Sequence, residues 1–484
     1  MKHLFLLVAL LFTFQTQAAQ EDGFSNQVDM TPWSDSVAVF TNGRVKSFET
    51  FARSFVSHIM GPRNFEEQDT TFTYFDMLIR PERYMGEPII YVKHKGLRAA
   101  IIGELNLDEP AAKNRADSFM KTGLVSREVL QQPTVRSLLG RLKQDVRRFA
   151  TPVENIDSGI GASDPRNLWA VLKVVPPTNG SFDAPWTTLD GVTDNEIIKS
   201  WGTMVEAWKL EDAQTVNIEL AKLAQLLPSL GAGTDIYPDT RKLKLESLYF
   251  RLGNLTSIWI VYLASTILLL MSLVYRFKRV GQLGIAIFIL AVVLNTIAVI
   301  WRWYVSGRFP NANMFEAITT AAWMGGLFGV LMEIILRKSS MKYVFSLGAA
   351  ISAIVALLAV RLYPLELNPH ISNKMPVLHD VWLYIHVNFI IFAYCLIFVA
   401  AVAATIYLIR RLIQKLTHQD GRNDFARAGG AASLVEVRPG NKPALKNNLG
   451  SVLDGATMVL VELSFILLWS GIVMGAIWAD HSWG

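Results

Sequence analysis

The stretch from Val377 to Arg410, VLHDVWLYIHVNFIIFAYCLIFVAAVAATIYLIR, constrains this chain more than any other. From Val381 it stays apolar for more than the ~20 residues that a helix rising ~1.5 Å per residue needs to cross a ~30 Å hydrocarbon core, and Arg410 with Arg411 closes it. The segment is therefore a membrane helix. His386 lies about one turn inside its start, between Trp382 and Tyr384. A neutral imidazole at that depth can ligate a metal, and aromatic rings there can lie against a flat apolar ligand. The same residues also compose an ordinary interfacial aromatic belt, and the helix alone leaves both readings open.

Comparable apolar spans run from Leu255 to Tyr275, Leu283 to Val305, Met314 to Leu336, Tyr343 to Leu362 and Ala456 to Trp478, with the organising one taken as Trp382 to Ile409. A composition 51% hydrophobic is too apolar for an ordinary soluble enzyme. The formal charge of +5 resides largely in short loops between spans, so it marks topology and excludes nucleic acid as the expected partner. Arg276, Lys278 and Arg279 follow the first span, Arg337, Lys338 and Lys342 the third, and a run from Arg410 to Lys446 the fifth, whereas the loops after the second and fourth carry only Arg308 and Lys374. By the positive-inside rule the basic loops are cytoplasmic, which puts His386, the loop SGRFPNAN and the last residues outside.

MKHLFLLVALLFTFQTQAAQ has a basic start, a short apolar run and small residues at Ala18 and Ala19, so residues 1–19 read as a secretory signal peptide. Residues 20–250 then form an exported domain. The single cysteine, Cys395, lies within the organising helix, so no intramolecular disulfide forms and Cys395 is packing. In the exported domain, Asn42-Gly43 signals a turn feeding a helix with Phe48, Phe51, Ala52 and Phe55 on one face. IIYVKHKGLRAAIIG reads as a hairpin, Ser137 to Phe149 as helical, and Thr193 with Glu196 as a capping box. Val216, Leu220, Leu223 and Leu227 recur at helical spacing, with Pro228 and Gly231 as stops. No catalytic spacing or phosphate loop occurs there, and the domain reads as one for docking or assembly. The expected fold class is a polytopic α-helical membrane protein of about six transmembrane helices, with a mixed α/β exported N-terminal domain.

Two further segments accompany His386. WRWYVSGRFPNANMFEA leaves the second span and enters the third with Glu316 near its mouth, where a carboxylate needs a partner such as Arg302 or Arg308 or must snorkel. GIVMGAIWADHSWG carries Gly471 and Gly475, which allow close helix approach, before Trp478 and Trp483. Together these segments resemble the CcsA/ResC family of cytochrome c biogenesis proteins, the haem-handling WWD proteins of system II. WRWYVSGRFPNANMFEA is similar to the family's R-W-Y-x-S-G-x-x-P-x-x-N-x-x-E, DVWLYIHV to W-L-x-x-H-V, and GAIWADHSWG to the start of G-A-x-W-A-x-x-x-W-G-x-x-W-x-W-D. NGRVKSFETFAR is similar to an upstream family segment, from which Ser47, Phe48 and Glu49 depart. The likeness covers Leu255 to Gly484.

The resemblance implies that His386 is an axial ligand to the iron of haem b, held as substrate. It also implies that Trp382, Trp478 and Trp483 contribute an aromatic platform, with Glu316 as a further site residue. The haem would be presented at the outer face of a bacterial cytoplasmic membrane to the C-x-x-C-H motif of apocytochrome c, making the chain a component of a haem lyase with a ResB/CcsB-like membrane partner. The sequence reaches Gly484 inside the Trp-rich motif, so the expectation is of an incomplete domain whose remainder, with a second histidine ligand, lies elsewhere or on a separate chain. His370, His379 and His481 lie on the same side as substitutes. Two other readings are a haem transporter, which calls for polar groups at mid-membrane depth beyond Asn295 and Glu333, and a non-catalytic assembly subunit.

Overall fold

A computed structural model describes residues 23–483 apart from 63, 107, 178–183, 232–235, 338–341, 365, 372–379 and 418–448. The expected signal peptide, His379 and most of the polar loop after the fifth span lie outside the described residues. The described chain forms two compact units, one ending at Arg251 and the other beginning at Leu252.

The first unit is mainly helical with two antiparallel two-stranded ribbons. After one helical turn at Phe24–Gln27 come helix α1 (Thr31–Ser36) and strands β1 (Ala38–Thr41) and β2 (Arg44–Ser47), paired Thr41 to Arg44 across a two-residue turn. Asn42 and Gly43 both take positive φ, +50° and +71°, the backbone that a tight hairpin requires. The turn signal at these residues thus marks a hairpin, and the strand after it leads directly into helix α2 (Phe48–Met60), capped by Ser47. Phe48, Phe51 and Ala52 are buried on its inner face, with Phe55 half-buried. Phe48 and Trp33 each meet Phe75, on helix α3 (Thr70–Ile79), at ring centroids 5.2 Å apart, in an aromatic core. Beside that core the buried Asp76 accepts hydrogen bonds from Arg80 Nε, Arg83, Tyr84 Oη and Trp208 Nε1, which satisfy the carboxylate and join three parts of the unit.

Three local expectations are corrected. Residues 89–103 do not form a hairpin: β3 (Ile90–Tyr91) pairs instead with β4 (Leu124–Val125), and helix α4 (Lys95–Gly103) begins at the expected turn. His94 Nδ1 accepts from Leu97 N at 3.0 Å and caps that helix, while Leu97 and Ile101, one turn apart, bury against the core. The segment 137–149 is not one helix, because α5 (Pro133–Leu142) ends before the polar run Lys143–Arg148, where the Asp145 carbonyl accepts from Phe149 N and Ala150 N. Helix α6 (Asn195–Lys209) is capped by Asp194 rather than Thr193, since the Asp194 carboxylate accepts from Glu196 N at 2.8 Å and carries the negative charge that a helix N-terminus favours. In α7 (Ala213–Ser229), Val216, Leu220, Leu223 and Leu227 are all fully buried, and Pro228 falls in the last turn. Helix α8 (Thr240–Arg251) closes the unit.

Among the described residues, the second unit contains six helices long and apolar enough to cross a membrane. They are α9 (Trp259–Tyr275), α10 (Lys278–Ser306), α11 (Met314–Leu336), α12 (Val344–Leu362), α13 (Val381–Leu416) and α14 (Leu449–Trp483). The span beginning at Leu283 is longer than its apolar core because the helix starts at Lys278, and α13 continues past Arg410 to Leu416 for the same reason: helical hydrogen bonding continues into polar residues beyond hydrocarbon. Close packing relies on small residues on α11, where a Cβ at Gly325 would lie 2.5 Å from Cys395 Sγ on α13. Cys395 is accordingly buried packing, at 5% exposure. Gly307, at φ +69°, ends α10, and Asn313 caps α11 through Oδ1 to Glu316 N at 2.8 Å.

Candidate functional site

The chemistry gathers at one end of the helix bundle, where α10 ends and α11, α13 and α14 begin or finish. Helices α13 and α14 run antiparallel, and their contact seam can be followed outward residue by residue. A Cβ at Gly471 would meet Ile390, and one at Gly475 would lie 2.8 Å from His386 Cε1 and 2.9 Å from Nδ1. Glycine at 475 is thus what lets the imidazole pack against the facing helix. One turn further out on each stripe stand Trp382, four residues before His386, and Trp478, three after Gly475. Trp382 is exposed and Trp478 half-buried. Beyond them Asp380 caps α13 by accepting from Trp382 N at 2.7 Å, and its second oxygen faces His481 Nδ1 at 3.1 Å, tying the two helix ends together.

The tautomer of His386 follows from its partner. His386 Nδ1 is 2.6 Å from the Gly471 carbonyl oxygen, which can only accept, so Nδ1 carries a proton, and in the neutral ring Nε2 is the nitrogen with the lone pair. That is the state in which imidazole binds a metal, with the second nitrogen oriented by a carbonyl. The half-buried ring, one fixed tautomer and two neighbouring indoles fit an iron–porphyrin: an unprotonated ring nitrogen for iron, and aromatic cover for the macrocycle. Among the described residues no cluster of three or more His, Cys, Asp or Glu could hold a bare metal ion.

A second polar knot lies at the same level. Helices α11 and α13 both start at this end, and their contact at Gly325 and Cys395 is nine residues, or about 14 Å of helix, from both Glu316 and His386. Glu316 is fully buried. Its Oε1 accepts from Arg302 Nε at 3.1 Å and Nη2 at 2.9 Å, and its Oε2 from Arg308 Nη1 and Ala312 N, both at 2.7 Å. Arg302 also donates to the Pro369 carbonyl at 3.0 Å and lies over the Phe315 ring at 4.7 Å. Asn313 Nδ2 donates to the His370 carbonyl at 3.1 Å. Both arginines foreseen as alternatives therefore pair with Glu316, and the knot holds the 306–313 loop against the segment before α13. Its carboxylate is spent on this scaffold.

Of the sequence-derived residues, His386, Trp382 and Trp478 share the α13–α14 seam. Glu316 belongs to the knot, His370 joins the loop through its backbone, and the side chain of Trp483 lies outside the described part. Sequence reasoning missed Asp380, which the rule that Asp precedes an apolar helix would have found, and the Gly471 and Pro369 carbonyls, for which a sequence carries no signal. The groups read as transport candidates have packing partners: Asn295 meets Tyr262 Oη at 3.4 Å, and Glu333 accepts from Tyr343 N at 2.9 Å.

Comparison with known proteins bears on this end of the bundle. The family described as "Cytochrome C assembly protein" matches residues 311–484, which include α11 to α14 and the whole seam. The chain is 27% identical over 233 residues to the cytochrome c biogenesis protein CcsA of Guillardia theta, covering 48% of this chain and 73% of that one. It is 26% identical over 252 residues to CcsA of Prochlorococcus marinus (strain MIT 9301), 51% of this chain and 74% of the relative, and 28% identical over 217 residues to CcsA of Synechococcus sp. (strain RCC307), 43% and 64%. Fold and similarity together define a multi-pass membrane protein of cytochrome c assembly. Its membrane region is similar to the CcsA proteins of cytochrome c biogenesis.

Proposed function

We propose that this chain binds haem at the His386 end of its bundle and presents it for covalent attachment to the C-x-x-C-H motif of apocytochrome c. The observation that carries the reading is the His386 Nδ1–Gly471 carbonyl bond, which leaves Nε2 as the free ligand beside Trp382 and Trp478. The positive-inside distribution of arginine and lysine supports a reading in which this end faces the outer, periplasmic side of a bacterial cytoplasmic membrane. Haem is the substrate here, and the iron and the thiols carry the bond chemistry. This chain's residues hold and orient: His386 fixes the iron, the indoles cover the porphyrin face, and the Arg302–Glu316–Arg308 knot keeps the adjoining loop in place. A ResB/CcsB-like membrane protein is the proposed partner, and the N-terminal unit serves docking.

The test is the visible spectrum of the purified protein, oxidised and reduced, for the natural sequence and His386→Ala. A Soret band that copurifies and is lost or shifted in the variant supports the reading. A natural protein without haem, or an unchanged variant spectrum, refutes it in favour of a non-catalytic assembly subunit.

A further inference from the structure

The proposed haem site leaves the segment NGRVKSFETFAR unused, yet its charged residues gather around α8. Strand β2 sets Arg44 and Lys46, two residues apart, on one face of the ribbon. Helix α8 lies against that strand with Glu246 enclosed, and Arg44 Nη2 donates to Glu246 Oε1 at 2.8 Å. Lys46 is 5% exposed, opposite the fully buried Val39 of β1, and among the described residues its amine makes no hydrogen bond or ion pair. The other acids of the helices packed on β2 are taken. Glu49 of α2 pairs with Arg53 at 2.6 Å and with Arg251 at 3.4 Å, and Asp35 of α1 pairs with Arg251 at 3.0 Å. Strand β1 carries no charged side chain. On α8, Lys242, one turn before Glu246, adds a cation, while Arg241 and Lys244 are exposed. One carboxylate thus serves both Arg44 and Lys46. An amine taken out of water without a carboxylate of its own favours its neutral form. Burial, reinforced by Arg44, pushes the Lys46 amine down to about 8.

We infer that Lys46 is a proton-operated catch for α8: its neutral amine leaves Glu246 to Arg44 and keeps α8 on the β1–β2 ribbon, whereas its protonation sets two cations on one carboxylate and favours release. When α8 opens, the amine is solvated and returns to its ordinary value of 10.5, so opening takes up a proton between about pH 8 and 10.5. Opening therefore becomes easier as pH falls through that window. Leu243, packed with Ala38 and Trp186, and Ser247 Oγ, which donates to the Ser34 carbonyl at 2.9 Å, also hold the helix. The chain passes from α8 into the second unit at Leu252, so the catch acts on the segment through which the two units are joined. The inference uses only enclosed residues of the N-terminal unit and is independent of haem binding.

Hydrogen exchange of the full protein in detergent, read by mass spectrometry at about pH 7 and about pH 9 and corrected for intrinsic rates, tests it. Opening of α8 is expected to be about tenfold rarer at the higher pH, with α7, whose Leu220 and Leu223 are fully buried, unchanged. Lys46→Met, which has no amine to titrate, should show the low value at both, and Lys46→Arg, charged at both, the high value. Should Lys46→Arg not fold, Lys46→Met decides alone. Equal opening of α8 at the two pH values in the natural protein, a tenfold change retained in Lys46→Met, or an equal response in α7, the mark of global unfolding, would each overturn the inference.

Discussion

Replacing Glu316 by alanine removes the one carboxylate that two enclosed guanidinium groups share. Arg302 and Arg308 have side chains only 2% and 10% exposed, so neither can turn to water when its partner is gone. The Ala312 N–H also loses its acceptor, and the loop between α10 and α11 loses the tie that Arg308 and Ala312 make to α11. Breaking a buried pair from one side costs about 3–5 kcal/mol, because an uncompensated charge stays in place. For a helical unit of this size that corresponds to a fall of about 6–20 °C in unfolding temperature. Thermal unfolding in lipid nanodiscs, followed by tryptophan fluorescence, measures it. Glu316→Gln keeps the shape but not the charge and should fall between the two. A shift below about 2 °C for alanine would refute the claim that the knot organises this end of the bundle.

Gly475→Ala drives a Cβ into the His386 ring, so the ring should tilt away from Gly471, at a packing cost of about 1–3 kcal/mol, and Nδ1 should lose its fixed proton. Imidazole nitrogen shifts in labelled protein read this directly, and an unchanged Nδ1 signal counts against it. Asp380→Ala removes the α13 cap, worth about 1 kcal/mol, and should speed hydrogen exchange at Trp382 to Tyr384 without altering the middle of the helix. In the N-terminal unit, burial, reinforced by Arg44, pushes the Lys46 amine down to about 8. The unfolded chain therefore holds more protons than the folded one between about pH 8 and 10.5, and stability rises with pH across that window by up to about 3 kcal/mol. Lys46→Met should abolish this rise relative to the natural chain, and parallel pH profiles for the two proteins would contradict the assignment.

Much of the membrane region is legible in the sequence because hydrocarbon imposes a single demand, length and apolarity, that each span meets by itself. The Val216–Leu227 stripe was legible for the same reason: helical period is a local property. The errors fell where a cap or a strand partner decided the outcome. IIYVKHKG has a strand's composition, yet His94 can cap the following turn and the partner strand is more than thirty residues away at Leu124–Val125. Thr193 and Asp194 are adjacent potential caps, and only the path of the chain selects between them.

By itself the sequence determined six spans, their boundaries to within a few residues, and the words around Arg302, His386 and Trp478 that relate this chain to the CcsA family. It named Glu316 and two alternative arginines. The tertiary structure decided that both arginines bind it, that Glu316 is enclosed scaffold, and that a glycine carbonyl 85 residues along the chain is the partner of His386 Nδ1. Spans follow from a transfer free energy that each residue contributes where it stands. A hydrogen bond to a backbone oxygen depends on which helices lie side by side, and that comes from packing.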